Sequence, residues 1–449
     1  MKIIIAGASP IGIHLAELLS REEQDIIVMD SDADKLSELD DNFDLLTLNI
    51  SPSSIKGLKE AGVADADLFI ATSTEEHYNI TCCTMAHKLG AKKTIARVDN
   101  YEYMQDEYKE MFTGLGISSL IYPEQLAGQE IINSIKTSWI RQWWEVEDGA
   151  LVLIGVKVRQ NASIIDTSLK ELGIQKMPFH VVAIKRNGSM IIPHGDDMIR
   201  HLDIVYFMAS KQDLPRIKQM VGKEDYRDVK NIAIMGGGKV AYHTVLQAPG
   251  YMRFKIVEID EKRINELHQK LNISNDRLMI FRGDGRDISK FKEEYQNIEA
   301  FVALTGNSEH NILACLTAKS FGVRKTVAMV DNFEYLNMAE SLDIGTLINK
   351  KTITASHIYQ EMLDADKTNL KWIALANADV AVFSAEEGSK ITKKQVKDLG
   401  MPKGMTLGGL VRAGKGMLIK GTTQIEPSDK VVVFCINMKI KNIEKYFKK

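Results

Sequence analysis

Two glycine-rich segments contain the residues best suited to binding a phosphate group. The first reads Gly7-Ala8-Ser9-Pro10-Ile11-Gly12 and follows an apolar run at residues 3–6. A strand, a glycine turn and a helix in this order predict a dinucleotide-binding loop, because glycine lets the backbone approach a pyrophosphate. Ser9 stands where the middle glycine usually lies, but its backbone N–H stays available to a phosphate. Asp30 ends the second predicted strand, where a carboxylate binds a ribose hydroxyl.

The second segment reads Gly236-Gly237-Gly238-Lys239-Val240-Ala241 and follows the apolar run at residues 232–235. It keeps the first two glycines, and alanine at the third place is an accepted variant. Glu258 lies where Asp30 lies in the first copy, and Gly283-Asp284 follows the third predicted strand. Two such loops, each with its strand, helix and acidic residue, predict two nucleotide-binding folds. A fold that keeps this shape but binds nothing is the alternative for either copy.

Further polar residues follow later strands of the same predicted sheets. Ser73 and Thr305 come directly after the fourth strand of each copy, where they either contact a ribose or phosphate or cap the next helix. Arg97 ends the fifth strand, so its guanidinium either reaches a phosphate or pairs with Asp99. The counterpart of Arg97 in the second copy is Met329, which carries no charge.

An internal duplication supplies the elements that must position these residues. Residues 69–103 align without gaps on residues 301–335, with many identical pairs such as Asn79 and Asn311. Apolar runs separated by amphipathic helices predict a doubly wound parallel sheet in each copy. A shorter segment rich in strands follows each of them, with Asn187-Gly188 as a hairpin signal in the first. The fold class is therefore α/β, with two Rossmann-like lobes each followed by a small β-rich α+β lobe. The predicted domains are residues 1–121, 141–222, 230–350 and 369–449.

Composition excludes several classes of protein. Hydrophobic residues make up 45% of the chain, charged residues 26%, and the net charge is −3, so no basic field favours nucleic acid. No apolar run approaches the length that spans a bilayer, and the amino terminus lacks the pattern of a signal peptide. The four cysteines have neither metal-ligand spacing nor the density of a disulfide framework. They are expected to be reduced and buried, with a redox switch at Cys82-Cys83 as the alternative.

Several segments resemble a known family. Residues 7–12, 28–30, 60–67 and 95–98 resemble the nucleotide-binding lobe of TrkA proteins, also called an RCK or KTN domain. Residues 192–195 and 202–205 resemble the return strands of the TrkA-C lobe. The resemblance covers nearly the whole chain, in the tandem order N, C, N, C that is typical of this family.

This resemblance implies a cytoplasmic regulatory subunit, peripheral on the inner face of the cell membrane, and not an enzyme. It implies NAD(H), or adenine nucleotides such as ATP and ADP, as ligands of the loops. It also implies a homo-oligomeric ring of RCK lobes that gates a potassium-transporting membrane subunit of the TrkH/TrkG type. Carried over by position, the binding residues are Gly7, Ala8, Ser9, Pro10, Ile11, Gly12, Asp30, Ser51, Ser73, Arg97, Val98, Gly236, Gly237, Gly238, Lys239, Val240, Glu258, Asp284 and Thr305.

Two other functions are compatible with parts of the sequence. A nicotinamide-dependent oxidoreductase would use the same loops, but it needs an acid–base group near the nicotinamide, and the β-rich lobes offer none that can be assigned. A regulatory subunit of another cation transporter or antiporter is the second alternative. Helices predicted at residues 122–135 and 353–363 are either ordinary core helices or the elements that pair subunits.

Overall fold

The computed structural model describes residues 1–20, 24–40, 43–174, 177–226, 228–271, 273–274, 276–287, 297–365, 372–375, 378–436, 438 and 440–449. These residues form two compact units. The first contains residues 1–126 together with the helix at 350–365. The second contains residues 127–349 together with the strands from residue 372 onward.

The first parallel lobe is a six-stranded sheet covered by helices. Its strands are β1 (Lys2–Ala6), β2 (Asp25–Met29), β3 (Leu46–Leu48), β4 (Leu68–Ala71), β5 (Lys93–Arg97) and β6 (Ser119–Ile121). Its helices are α1 (Pro10–Ser20), α2 (Ala33–Asp40), α3 (Ile55–Glu60), α4 (Glu76–Lys88) and α5 (Lys109–Gly114), followed by α6 (Pro123–Lys136). The strand order β3-β2-β1-β4-β5-β6 reverses between β1 and β4. Ligands of open parallel sheets bind at the carboxyl ends of the strands beside such a reversal.

The first antiparallel lobe is a five-stranded sheet in the order β10-β9-β11-β8-β7. Its elements are β7 (Gln142–Val146), β8 (Leu151–Lys157), α7 (Leu169–Ile174), β9 (Phe179–Arg186), β10 (Ser189–Ile191), β11 (Ile204–Ala209) and α8 (Leu214–Met220). Arg186 donates two hydrogen bonds, of 2.9 and 2.7 Å, to the buried carboxylate of Asp203. This bidentate pair fixes the loop before β11 against the end of β9.

The second parallel lobe repeats the first, with the strand order β14-β13-β12-β15-β16-β17. Its strands are β12 (Asn231–Met235), β13 (Arg253–Glu258), β14 (Leu278–Arg282), β15 (Ala300–Ala303), β16 (Lys325–Met329) and β17 (Thr346–Ile348). Its helices include α9 (Lys239–Leu246), α10 (Glu261–Lys270), α11 (Ser308–Ser320) and α12 (Phe333–Ser341), and α13 (Lys350–Ala365) follows them. The identical strand order confirms the duplication predicted from the sequence.

The second antiparallel lobe has the same topology as the first, in the order β18-β19-β22-β20-β21. Its elements are β18 (Trp372–Leu375), β19 (Ala378–Ser384), β20 (Met405–Arg412), β21 (Lys415–Leu418), β22 (Lys430–Cys435) and α14 (Ile440–Phe447). The Arg–Asp pair is repeated, because Arg412 donates bonds of 2.8 and 2.7 Å to buried Asp429. The two antiparallel sheets share one apolar core, in which the rings of Tyr206 and Phe434 lie 6.0 Å apart.

Helices α6 and α13 each pack on the parallel lobe of the other half of the chain. Within the first unit, α13 lies along α1. Within the second unit, Gly128 of α6 lies against α9, where a Cβ on this glycine would be 2.9 Å from the Cβ of His243. The apolar residues Ile131, Ile132 and Ile135 of α6 are completely buried. Both predicted helices therefore exist, and these three isoleucines of α6 are buried within one chain. The pairing of subunits by these helices stays a prediction.

The α/β class and the predicted pattern of strands are confirmed. The short strands β6 and β17 were not predicted, and neither were the edge strands β7 and β18 or the strand β20. The predicted domain boundaries stay a prediction, although each of the four sheets lies inside one predicted segment. Within the described residues, no helix combines the length and the apolar character needed to cross a membrane.

Candidate functional site

The first glycine loop is held in place by the acidic residue of the next strand. Gly7 has a φ of +104°, a conformation that glycine adopts without steric cost. Directly after it, the backbone N–H of Ala8 donates a 2.7 Å hydrogen bond to Oδ2 of Asp30. Oδ1 of the same carboxylate accepts the N–H of Asp32 at 2.9 Å. Asp30 therefore lies at the loop, as the sequence predicted, and its carboxylate holds the backbone on both sides of the site.

Gly12 is required by the close approach of α1 to the loop. A Cβ on Gly12 would lie 2.2 Å from the carbonyl oxygen of Gly7 and 2.6 Å from Oγ1 of Thr72. The hydroxyl of Thr72 donates a 2.8 Å bond to the same Gly7 carbonyl. Ser9, in the place of the middle glycine, accepts the N–H of Gly12 at 3.2 Å through Oγ. Pro10 is exposed and Ile11 is buried, so any contact from Ile11 to a ligand would come from its backbone.

The second loop repeats this arrangement with a longer acidic side chain. Gly236 has a φ of +99°, and the N–H of Gly237 donates a 2.6 Å bond to Oε2 of Glu258. Oε1 of Glu258 accepts the N–H groups of Ile259 and Asp260 at 2.8 and 2.9 Å. The side chain is only 3% exposed, so three backbone donors stabilise a buried carboxylate. Arg263 approaches the same carboxylate at 3.8 Å.

A cleft with a volume of about 220 Å³ opens beside this loop. It brings together four residues predicted from the sequence, which are Gly236, Glu258, Asp284 and Thr305. The loop residues Gly237, Gly238, Lys239 and Val240 lie outside its lining: Gly238 caps α9, Lys239 begins that helix, and Val240 is buried in the core.

Three basic residues in the cleft were missed by the sequence analysis. Arg263 and Arg286 line the cleft with His310, and the guanidinium of Arg286 lies 3.3 Å from the imidazole. Arg286 also bonds Asp284 at 2.6 Å and lowers the pKa of that carboxyl group to about 2. Met329 supplies no charge at the end of β16, so the arginines from α10 and the loop after β14 are the cations at this cleft. No fixed spacing from the glycine loop indicates them.

Two buried asparagines tie the carboxyl ends of neighbouring strands together. Nδ2 of Asn79 donates to the carbonyls of Ser73 and Arg97, both at 2.8 Å. Nδ2 of Asn311 donates in the same way, to Thr305 at 2.9 Å and to Met329 at 2.8 Å. The identity of this pair in the aligned repeat was the available signal, although the sequence analysis assigned it no role.

The remaining predicted residues of the first lobe fall into two groups. Ser73 adjoins the loop, since a Cβ on Gly7 would lie 3.1 Å from its backbone nitrogen, and Arg97 donates a 3.0 Å bond to its carbonyl. Ser51 instead bonds the hydroxyl of Tyr78 at 3.0 Å, and Val98 is buried in the core. The structure therefore collects Gly7, Ala8, Asp30, Ser73 and Arg97 at one sheet edge, and Ser51 turns toward α4.

The first lobe also contains buried polar atoms that have not found a partner. Among the described residues, Nε of Arg97 and Oδ1 of Asn79 are buried without a hydrogen bond. In the second lobe the equivalent amide oxygen, Oδ1 of Asn311, accepts bonds from Thr305. Buried polar groups are normally satisfied, so a donor and an acceptor beside the loop fit a polar ligand there.

The chemistry of the cysteines argues against a redox role. All four cysteines are free and buried, as the sequence predicted. Burial raises the pKa of Cys82 to about 12 and that of Cys315 also to about 12, which suppresses the reactive thiolate at neutral pH. The part of the chain that the structure describes contains no group of His, Cys, Asp and Glu side chains arranged for a metal ion.

A glycine loop and an acidic residue occur in both parallel lobes, and a cleft opens beside the second loop. Together with the alternating parallel and antiparallel lobes, they define a tandem Rossmann-type protein of the nucleotide-binding class. Comparison with family models makes this specific: the TrkA-N domain matches residues 3–123 and 232–350, and the TrkA-C domain matches residues 153–222. The chain belongs to the TrkA family of potassium uptake proteins. TrkA-N is a nucleotide-binding domain, and members of the family are regulatory subunits of potassium uptake systems and not enzymes.

Relatives match over their full length. The Trk system potassium uptake protein TrkA of Halomonas elongata is 30% identical, and the match covers 100% of this chain and 98% of the relative. The TrkA homolog of Archaeoglobus fulgidus is 28% identical, with 100% of both chains covered. The crystal structure of the GsuK RCK domain shares the fold, with 14% identity, a TM-score of 0.58, and coverage of 99% of this chain and 94% of that chain. A GsuK channel bound to NAD matches with 15% identity, a TM-score of 0.58, and coverage of 99% and 78%.

Proposed function

We propose that this protein senses NAD(H), or ATP and ADP, and gates a potassium-transporting membrane subunit of the TrkH/TrkG type. It acts as a homo-oligomeric ring of lobes on the cytoplasmic face of the membrane. The observation that carries the proposal is the carboxylate of Glu258, which lies in the cleft and accepts the N–H of Gly237 from the phosphate-type loop. The NAD bound by the GsuK channel, a protein of the same fold, supports NAD(H) as the first ligand to test.

The residues at the two loops have the chemistry that such a ligand requires. The carboxylates of Asp30 and Glu258 each retain acceptor capacity for the hydroxyls of a ribose, because an ionised carboxylate has about four lone-pair sites. Backbone N–H groups at the starts of α1 and α9 favour an anionic phosphate. The other residues predicted from the sequence, from Gly7 to Val98 and from Gly236 to Thr305, stay proposed ligand contacts.

The two glycine loops are connected, through α9 and α1, to the helices α6 and α13 that pack on the parallel lobe of the other half of the chain. Gly238 caps α9 immediately after the glycine turn, and α9 carries the surface on which Gly128 of α6 packs. A ligand that shifts the start of α9 therefore acts on the helix that begins the connection to the first antiparallel lobe. In the other unit, α1 begins at the first loop and supports α13 in the same way. Ligand-bound and ligand-free states with different helix positions are what gating requires.

Calorimetric titration of the purified chain with NADH, NAD, ATP and ADP tests ligand binding. We expect saturable binding that weakens by about 1–3 kcal/mol in Glu258→Ala and in Asp30→Ala, each at its own site. Glu266→Ala, which removes an exposed carboxylate from α10, is the matched control and should bind as the wild type does. Wild-type affinity in both carboxylate variants would refute the assignment of the two sites.

Potassium flux tests the output. The chain is added to vesicles that contain its membrane subunit, and uptake is measured with each nucleotide. We expect flux to differ between at least two nucleotide conditions, and the difference to shrink in Glu258→Ala. If the nucleotides bind but none of them changes the potassium flux, gating is refuted and the proposed binding sites are not.

A further inference from the structure

A basic cluster lies at the edge of the second parallel lobe opposite its glycine loop. We define it as Arg141, Lys157, Arg159, Lys223, Lys319 and Lys325, and it surrounds the carboxylate of Asp343. The first four residues come from the first antiparallel lobe, and the others from the second parallel lobe. All of them belong to the second compact unit.

Asp343 is shared by four of these cations. Nζ of Lys157 lies 2.9 Å from Oδ1, which Arg141 also contacts, and NH1 of Arg159 lies 3.0 Å from Oδ2. Lys319 approaches Oδ2 at 3.4 Å. Arg141, Lys157 and Lys319 hold the pKa of Asp343 well below its usual range against the opposite effect of burial. One carboxylate thus faces four positive groups, so the contact leaves an excess of positive charge.

Lys223 and Lys325 add two further buried amines. Each is 4% exposed. Nζ of Lys325 donates to the carbonyl of Ile140 at 3.3 Å and to Oγ1 of Thr346 at 3.1 Å, and Nζ of Lys223 lies 4.0 Å above the ring of Tyr226. Neutral partners do not balance a buried charge.

The surroundings of Lys223 and Lys325 lower the pKa of both side chains. Burial, together with repulsion from Arg159 and Arg141, lowers the pKa of Lys223 to about 6. Burial and repulsion from Arg141 and Lys319 lower the pKa of Lys325 to about 7, although the carboxylate of Glu130 acts in the opposite direction.

The cluster borders a small cavity of about 30 Å³, which is lined by all six of its members. This cavity is distinct from the nucleotide cleft. Lys325 is the first residue of β16, and Met329, at the carboxyl end of that strand, is bonded through its carbonyl to the Asn311 of the cleft edge. The cavity and the cleft therefore lie at opposite ends of the same sheet.

The equivalent lysine of the first half of the chain has different partners. Lys93 begins β5 as Lys325 begins β16, and its Nζ donates a 3.0 Å bond to the carbonyl of Glu361 on α13. The carboxylate of Glu361 also accepts a bond from Ser119 at 2.9 Å, and Lys93 is among the charges that lower its pKa. A lysine at the start of this strand is thus part of the fold in both halves, and in the second half it belongs to the cations around Asp343.

We propose that the basic cluster binds an oxyanion of phosphate type, either free inorganic phosphate or the phosphate group of a phosphorylated metabolite. The bound anion joins the first antiparallel lobe to the second parallel lobe, because its ligands come from both. Arginine and lysine side chains are suited to binding phosphate, and the burial of Lys157, Lys223 and Lys325 strengthens each contact. The site is independent of the nucleotide sites proposed above.

Titration of the full chain with inorganic phosphate, at constant ionic strength set by chloride, tests this site. We expect saturable binding and a higher melting temperature for the wild type. Lys157→Gln and Lys223→Gln should each raise the dissociation constant for phosphate by about tenfold or more. This is the effect of losing one charged hydrogen bond. Lys170→Gln, an exposed lysine of α7, is the control and should match the wild type.

Two variants are used so that misfolding of one leaves the other as the test. Lys223→Gln should also melt at a higher temperature than the wild type in phosphate-free buffer, because it removes an amine whose protonated form is destabilised by burial and by repulsion from Arg159 and Arg141. Repeating the titration with ATP in the Asp30→Ala/Glu258→Ala background, in which both proposed nucleotide sites are weakened, separates the sources of phosphate. ATP binding that Lys223→Gln weakens identifies a carried phosphate group, and ATP binding that ignores it identifies the free anion. Wild-type phosphate affinity in both lysine variants, or no saturable binding in the wild type, would overturn the proposal.

Discussion

The backbone N–H of Gly237 donates a 2.6 Å hydrogen bond to the carboxylate of Glu258, and the pair joins the glycine turn to the end of the neighbouring strand. Ala8 and Asp30 make the same bond at 2.7 Å in the first half. The acidic residue proposed as a ribose contact therefore also holds the backbone of the glycine turn. Substitutions at Glu258 should therefore affect stability through the bond to Gly237 and ligand affinity through the proposed contact to the ribose.

Glu258→Gln should destabilise the protein by about 1–3 kcal/mol even without a ligand. The amide has one acceptor oxygen, so it cannot satisfy both Gly237 and the donors at Ile259 and Asp260, and a buried donor is left unpaired. Urea unfolding followed by circular dichroism measures the change. Glu266→Gln, on the exposed side of α10, should stay within about 0.5 kcal/mol of the wild type. An unchanged midpoint for Glu258→Gln would show that the loop does not depend on this carboxylate.

Gly12→Ala should cost about 1–3 kcal/mol and abolish nucleotide binding at the first loop. Its Cβ would lie 2.2 Å from a backbone carbonyl, which cannot move without displacing the turn at Gly7. Gly238→Ala is the contrasting change in the second loop. Gly238 has a φ of −75°, and no atom outside its immediate neighbours lies within 4 Å of the added Cβ. Thermal unfolding of both variants, with calorimetry for NADH, distinguishes them. Equal stability loss in the two would contradict the steric argument.

Arg186→Met and Arg412→Met should each cost about 3–5 kcal/mol, because each leaves a buried carboxylate without its cation. Asp203 is 2% exposed and Asp429 is 1% exposed, so water cannot replace the guanidinium. The double variant Arg186→Met/Asp203→Leu should recover a large part of the loss, since it removes the stranded charge. Urea unfolding measures all three, with Arg200→Met, whose side chain is exposed, as the control. A double variant no more stable than Arg186→Met would count against the stranded charge as the cause.

The parts of this molecule that sequence predicted are those whose pattern is local. The turn at Gly7, the strand before it and Asp30 at the end of the next strand follow from a fixed spacing. Arg286 and His310 meet in the cleft only because β14 and β15 flank the central strands, and no spacing rule links them. The packing of α6 and α13 on the lobe of the other half is likewise hidden, since an apolar stripe predicts that a helix is buried but not which lobe covers it. The basic cluster is assembled from two separate lobes, so its residues look like ordinary surface charges in sequence.

Anion binding to the basic cluster should be accompanied by proton uptake near pH 8. The pKa of Lys223 falls from 10.5 for an ordinary lysine to about 6 in the folded protein, because of burial and repulsion by Arg159 and Arg141, opposed by Asp343. Between these two values the unfolded state holds more protons, so stability rises with pH, by at most about 1.4 kcal/mol per pH unit for one such group. Below about pH 6 the lysine is charged in both states, and the cost of burying that charge is fully present.

A bound dianion reverses this balance by stabilising the charged lysine. Sulfate is the suitable probe, because its own charge is constant over this range. Calorimetry at pH 8 in two buffers of different ionisation enthalpy should show a binding enthalpy that depends on the buffer, with net uptake of protons from it. Lys325, whose pKa is lowered to about 7, contributes uptake of the same sign. Lys223→Gln should reduce the number of protons taken up, and Lys170→Gln should not. A buffer-independent enthalpy for the wild type would mean that sulfate does not meet these lysines, because no anion can contact a neutral buried amine without favouring its protonation.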